Sequence, residues 1–246
     1  MQHYFINQVL SVKQKVDLPK DISHHLIKVL RAGIGDQFQM VSADQQVYLA
    51  EVIKITSQHA SATILRPLNM NVELPLKVTI VSGLSKKNKP DLIVQKATEL
   101  GASQIIFLPM TRSIVKWDQK SGKKLRRLNE IAKSAAEQSH RNMVPKVRYL
   151  NRLSELTKSA YDVKLVAYEE AAKKGEQTQL YRSLTAAGRG DDLVAVFGPE
   201  GGISPDEMAY LADYDFQAAG LGPRILRTET APLYFLSAVS VLTELS

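Results

Sequence analysis

The sequence predicts an α/β protein with a smaller, mostly β portion on its N-terminal side. Three observations predict it. Apolar and polar residues alternate within the first seventy or so positions, the pattern breaks at residues 66–71 (RPLNMN), and from Lys77 onward short apolar runs alternate with stretches of helical spacing. A period of two marks a half-buried antiparallel strand, whereas apolar runs separated by helices mark a parallel sheet covered on both faces.

In the first portion Ser23 is expected to cap a helix whose apolar side is Leu26, Val29 and Leu30 and which Gly33 terminates. Residues 46–55 (QVYLAEVIKI) and 62–65 (ATIL) then read as strands of a small antiparallel sheet or barrel. The break that follows divides the chain into domains of residues 1–72 and 73–246.

In the second portion a strand at 78–81 leads into the basic loop 85–89 (SKKNK). Leu92, Ile93, Lys96, Ala97 and Leu100 recur at helical spacing, and Gly101 ends that helix. A strand at 105–108 precedes a long helix over 125–140 that buries Leu128, Ile131, Ala132 and Ala135. Residues 163–167 and 193–197 supply further strands, while 175–179 are too polar to place.

The sharpest local feature is residues 197–207 (FGPEGGISPDE). A buried strand ends at Gly198, Gly201 and Gly202 make a tight turn, and Ser204, Pro205 and Glu207 supply an N-cap, a proline at the first helical position and a glutamate at the third, the pairing of a capping box. Such a loop lies at the carboxyl end of a strand, where α/β proteins place ligands. The spacing matches neither a dinucleotide nor a nucleoside triphosphate fingerprint, and the carboxylate of Glu200 would repel phosphate, so a zwitterionic or cationic cofactor suits it better. Residues 220–232 (GLGPRILRTETAP) form a second loop. Leu221, Ile225 and Leu226 can anchor it while Gly222 exposes main-chain groups for recognition, and a buried helix follows. Arg227 and Glu229 are expected either to pair across this turn or to act on substrate.

The formal charge of +7 favours a polyanionic partner, and its distribution sharpens the point: residues 86–148 hold fifteen basic against five acidic side chains. The absence of cysteine excludes disulfides, thiol catalysis and thiolate metal sites. His3, His24, His25, His59 and His140 form no short metal-ligand motif, so no metal is expected. Without a membrane-length apolar run or a signal-peptide pattern, a cytoplasmic protein is expected.

Several ordered segments together resemble the RsmE family of 16S rRNA uridine-N3 methyltransferases, within the SPOUT class. They are 25–31 (HLIKVLR), 92–101 (LIVQKATELG), 111–113 (TRS), 136–141 (AEQSHR), 198–202 (GPEGG) and 221–231 (LGPRILRTETA), and they span nearly the whole chain. The resemblance implies a PUA-like N-terminal β-barrel, a C-terminal trefoil-knotted SPOUT methyltransferase domain, a homodimer, S-adenosyl-L-methionine as cofactor and N3 of uridine 1498 as target, reached in the small ribosomal subunit. Periodicity alone would give an unknotted sheet, because threaded chains are rare. Ile203 stands where the family often has Phe, and His3 where an arginine is common.

The implied cofactor wall is Gly198, Glu200, Gly201, Gly202, Leu221, Gly222, Ile225 and Leu226. Arg31, Lys86, Lys89, Arg112 and Arg141 are the implied RNA contacts. Arg112 and Arg141 are further expected to orient uracil and stabilise its developing charge, since guanidinium is too weak an acid to serve as a base. Glu200 and Glu229 are the carboxylate candidates for proton handling, with loop bracing as the other role of both. A catalytically inactive RNA-binding or ribosome-assembly protein, or a SPOUT enzyme modifying another nucleotide, would share the basic surface.

Overall fold

The computed structural model describes residues 1–117, 121–173 and 178–245. It falls into two compact units, one of Met1–Glu73 with Ala136–Met143 and one of Leu74–Ala135 with Val144–Ser246. The return of 136–143 to the first unit is a feature that a division near residue 72 does not contain. Residues 175–177 of the polar segment lie outside the described residues.

The first unit is a five-stranded sheet in the order β1-β3-β4-β5-β2. Strand β1 (His3–Phe5) runs parallel to β3 (Gln37–Val41), whereas β4 (Val47–Ile55) pairs antiparallel with both β3 and β5 (Ala60–Leu68), and β2 (Lys15–Asp17) flanks β5. The alternation in β4 turns Val47, Leu49 and Val52 inward, with a register shift at Leu49/Ala50 that buries Ala50 as well. Helix α1 (Lys20–His24) continues as a π-helical turn, His25–Val29.

Ser23 is not an N-cap; it lies inside α1, fully buried, donating to Leu18 O at 3.1 Å and accepting from Ala60 N at 3.2 Å. Of the expected apolar side only Leu26 is buried, while Val29 and Leu30 are exposed, because the wider π turn rotates them off the buried face.

The residues that return to this unit are held by polar contacts. Asn142 donates to Met70 O at 2.8 Å and Gln45 O at 3.1 Å and accepts from Val72 N. His140, with a positive φ of 56°, contacts Gln39 Oε1 through Nδ1 at 2.9 Å, and its ring lies 5.1 Å from that of His3. Burial, followed by the charge of His3, holds the His140 pKa below its ordinary value.

The second unit is a six-stranded, all-parallel sheet in the order β11-β9-β10-β6-β7-β8. Its strands are β6 (Lys77–Gly83), β7 (Gln104–Leu108), β8 (Lys146–Tyr149), β9 (Val163–Ala167), β10 (Asp192–Phe197) and β11 (Gln217–Ala219). Helices α2 (Lys89–Glu99), α3 (Ser121–Gln138), α4 (Leu153–Leu156), α5 (Glu169–Lys173), α6 (Gln179–Ala186) and α7 (Pro205–Ala212) connect them, and α8 (Ala231–Glu244) follows the last strand.

Period-two alternation explains why these strands are apolar throughout. Ile80, Ile105, Phe107, Leu193, Ala195 and Phe197 point into one core with residues of α2, α3, α6 and α8. Their neighbours Val81, Ile106, Leu108, Val194 and Val196 point the other way, onto Leu211 of α7 and Phe216. Each fully buried aliphatic side chain of this kind contributes about 1.5–3 kcal/mol.

The chain lays β6, β7 and β8 outward, crosses to place β9, and then inserts β10 between β9 and β6. That doubling back is the connectivity a knotted sheet needs and a progressively wound one lacks. It also brings the loop after β10 out at the middle of the carboxyl edge, beside the end of β6. No helix among the described residues is long and apolar enough to cross a membrane.

Candidate functional site

The loop after β10 is shaped by close backbone approach. A Cβ on Gly83, the last residue of β6, would lie 2.5 Å from the main-chain nitrogen of Pro199, and one on Gly198 would lie 2.9 Å from the carbonyl carbon of Gly202. Gly202 has a φ of +74°, a backbone conformation that favours glycine. The loop ends in the expected capping box: Ser204 Oγ accepts from Glu207 N at 3.2 Å, and Glu207 Oε2 accepts from Ser204 N at 2.9 Å. Glu207 Oε1 also accepts from Thr111 N at 2.7 Å, tying the Thr111 loop to α7. Burial raises the Glu207 pKa, but the hydrogen bonds from Ser204 and Thr111 outweigh it and leave the carboxyl below its ordinary range.

Arg112 extends from that Thr111 loop across the glycines. Its Nη1 donates to Gly201 O at 3.1 Å and Ile203 O at 3.4 Å, and its Cβ sits 2.9 Å from where a Cβ on Gly201 would be. Gly201 is thus required by contact with Arg112, and Gly202 by dihedral angle. Ile203 is buried in the core that faces α7.

These loops enclose a cavity of about 710 Å³ lined by Gly198, Glu200, Gly201, Gly202, Ile225 and Leu226, with Lys89 and Arg112 also at its wall. An adjoining pocket of about 330 Å³ is lined by Leu221 and Gly222, and shares Ile225 and Leu226 with the larger one. Every residue of the implied cofactor wall therefore faces one of two contiguous hollows. Tyr168, Glu169 and Glu170 line the cavity too, and the sequence reading missed them. Their signal was position: they directly follow β9, which ends at the same carboxyl edge.

Glu229 does not pair with Arg227. Lys89 Nζ lies 3.2 Å from Glu229 Oε2 and 2.9 Å from Glu200 Oε1, and Arg227 is exposed. Hydrogen bonding to Glu200 leads the effects that raise the Lys89 pKa; burial raises that of Glu200, but the bonds from Lys89 and the main chain bring it below the ordinary value. A lysine so engaged is not offered to RNA phosphate, which corrects its implied role. Lys86 keeps an exposed side chain and uses its main-chain N–H on Glu200.

Arg141 requires the larger correction. It is 2% exposed, its guanidinium is bonded to Glu73, and its carbonyl accepts from His3 Nε2 at 2.8 Å. A guanidinium enclosed in the first unit cannot present itself to RNA or uracil. Arg31, also in that unit, is exposed, with a positive φ of 55°. Among the described residues no cluster of His, Asp or Glu is arranged to hold a metal ion.

The hollows fit S-adenosyl-L-methionine. Their volumes lie in the range of small-molecule sites, about 300–1,000 Å³. Glu169, Glu170 and Glu200 supply negative charge suited to a sulfonium and an ammonium group. Among the described residues no main-chain N–H from 221 to 229 donates a hydrogen bond, so that loop keeps donors for a ligand.

Comparison with known proteins agrees with this geometry. The RNA methyltransferase domain family matches residues 72–240, and the RNA methyltransferase PUA domain family matches 18–65. The chain is 42% identical over 254 residues to the ribosomal RNA small subunit methyltransferase E of Bacillus subtilis, covering 100% of this chain and 98% of that one. The crystal structure of the Neisseria gonorrhoeae ribosomal RNA small subunit methyltransferase E bound to S-adenosyl methionine is 31% identical, covers 98% of each chain and superposes with a TM-score of 0.84. A Legionella pneumophila methyltransferase in complex with the same cofactor is 27% identical, covers 97% of this chain and 96% of that one, and gives a TM-score of 0.85. The second unit accordingly has the SPOUT methyltransferase fold, and the first is PUA-like.

Proposed function

The chain belongs to the ribosomal RNA small subunit methyltransferase E family, and from that membership we propose that it methylates N3 of uridine 1498 in bacterial 16S rRNA, using S-adenosyl-L-methionine, on the assembled small subunit in the cytoplasm. The observation that carries the proposal is the convergence of the 198–202 and 221–226 loops on contiguous hollows at the carboxyl edge of the sheet. Met1–Glu73 with Ala136–Met143 form the RNA-docking unit, and Leu74–Ala135 with Val144–Ser246 the catalytic one.

When bound, the cofactor supplies a methyl group already activated by its sulfonium. The chain's own work is to orient and to handle charge. Gly198, Gly201 and Gly202 let the main chain approach closely, and Glu200 sets the negative potential of the wall. Arg112, oriented by the carbonyls of Gly201 and Ile203, places a fixed cation at the rim where uracil gains negative charge as its N3 proton leaves. Glu229, 3.2 Å from the Lys89 ammonium, is better suited to bracing a loop than to accepting that proton.

The working unit is a homodimer. Tyr234 and Val241 on α8, with Leu245 at its C-cap, are exposed large apolar residues at helical spacing, a stripe that a second copy would cover. Solution mass measurement tests this separately.

Purified protein incubated with labelled cofactor and small subunits lacking the modification should yield N3-methyluridine at position 1498, mapped by mass spectrometry of nucleosides. A ribose-methylated product would reject the chemistry, and N3-methyluridine elsewhere would reject the target. No transfer by a folded, cofactor-binding preparation would turn the reading to an inactive RNA binder.

A further inference from the structure

Glu200 and Glu229 belong to different loops, yet one ammonium reaches both. Lys89 is the first residue of α2 and follows the loop after β6; Glu200 follows β10; Glu229 precedes α8. The three side chains are 24%, 26% and 16% exposed, and the Glu200 oxygen that faces Lys89 also accepts from Lys86 N at 3.2 Å. Three segments ending at one edge of the sheet therefore meet at a single cation. A solvated surface pair would hold little together, but partial burial and the second carboxylate place this cluster in a stronger regime.

We propose that Lys89 is a positioning residue that clasps the Glu200 loop to the Glu229 loop and so holds both around the cofactor cavity. The inference rests on the cofactor reading of that cavity. A phosphate contact, the ordinary use of a lysine in a basic tract, is disfavoured by geometry, since both its near partners are carboxylates. Other charged groups lining the cavity do not replace it. Arg112 is turned to the carbonyls of Gly201 and Ile203, Arg227 is exposed, and Glu169 and Glu170 add negative charge. Removing the ammonium would leave two carboxylates facing each other, driving the loops apart until one of them takes up a proton.

This behaviour gives the clasp a signature that simple loss of packing lacks. Calorimetric titration of the full-length protein with S-adenosyl-L-methionine should show Lys89→Met binding about tenfold more weakly than wild type near neutral pH. Its affinity should recover toward wild type as the pH is lowered to about 5.5, where like-charge repulsion favours one protonated carboxylate. The double variant Lys89→Met/Glu229→Gln, which removes the repulsion at the carboxylate that does not line the cavity, should recover at both pH values, and circular dichroism should show all three proteins folded. Wild-type affinity in Lys89→Met overturns the clasp, as does a loss that neither acid nor the second substitution reverses. Unchanged cofactor affinity with weakened RNA binding would return Lys89 to the phosphate contacts. Failure of the wild-type protein to bind the cofactor would instead reject the reading of the cavity itself.

Discussion

The carboxylate of Glu73 receives the guanidinium of Arg141, with Nε 3.2 Å from one oxygen and 3.1 Å from the other, although the two residues are 68 positions apart. The same carboxylate accepts from the main-chain N–H groups of Asn142 at 2.8 Å and Met143 at 3.2 Å. Glu73→Gln should therefore cost about 3 kcal/mol, because it strands a buried guanidinium and weakens two further acceptor contacts. Arg141→Leu should destabilise comparably, by leaving the carboxylate unpaired. Chemical denaturation measures both, and unchanged midpoints would contradict the pairing.

Gly201→Val should weaken cofactor affinity about tenfold, as overpacking of this kind costs on the order of 1–3 kcal/mol. The new side chain would meet Arg112, whose Cβ and carbonyl oxygen lie 2.9 Å and 3.1 Å from the added Cβ. The effect is indirect: the loop shifts and the cavity wall shifts with it. Calorimetry on the folded variant is decisive, since unchanged affinity would separate the Arg112 contact from the shape of the cavity.

Glu207→Ala should destabilise the protein by about 1–2 kcal/mol, the worth of a lost helix cap. The difference from wild type should depend on pH in a definite sense. Because the Glu207 carboxyl is held below its ordinary range in the folded protein, its contribution is complete above the unfolded carboxylate pKa and disappears as pH falls through the lower, folded value. A gap that widened on acidification would contradict that sign.

Among the basic residues near the start of α3, Lys123 and Arg126 are exposed, whereas Arg127 is paired with Asp91 and Lys124 lies 4.4 Å over the Trp117 ring. If Lys123 and Arg126 contact phosphate, replacing either with alanine should reduce the slope of log affinity for small subunits against log salt by about 0.7–0.9. The corresponding change at Arg127 should be smaller, because its charge is already spoken for. Equal slopes for all variants would remove this helix end from the RNA surface.

Much of the second unit was legible because its signals are local. The apolar runs at 78–81, 105–108 and 193–197 are buried on both faces of the sheet, and the capping box at Ser204 closes within four residues. The four- and three-residue strands β8 and β11 are too short to show a period. In the first unit a helical period misplaced Val29 and Leu30, since the chain there winds as a π turn. Arg141 looked like an RNA contact because sequence spacing says nothing about Glu73, and Lys89 looked like one because its two carboxylates arrive from 111 positions onward and beyond. The fates of charged side chains were decided by partners distant in the chain, which no local pattern encodes.

The residence of Ala136–Met143 in the first unit sets an order of events during synthesis. When Glu73 leaves the ribosome, the guanidinium that neutralises it has yet to be translated, and it follows about seventy residues later, several seconds at roughly 5–20 residues per second. Through that interval the N-terminal sheet has a carboxylate without its cation and lacks Asn142 between Gln45 and Met70. A fragment ending at residue 73 would be caught permanently at that stage, so the N-terminal unit is completed only after the first strands and helices of its neighbour have been made.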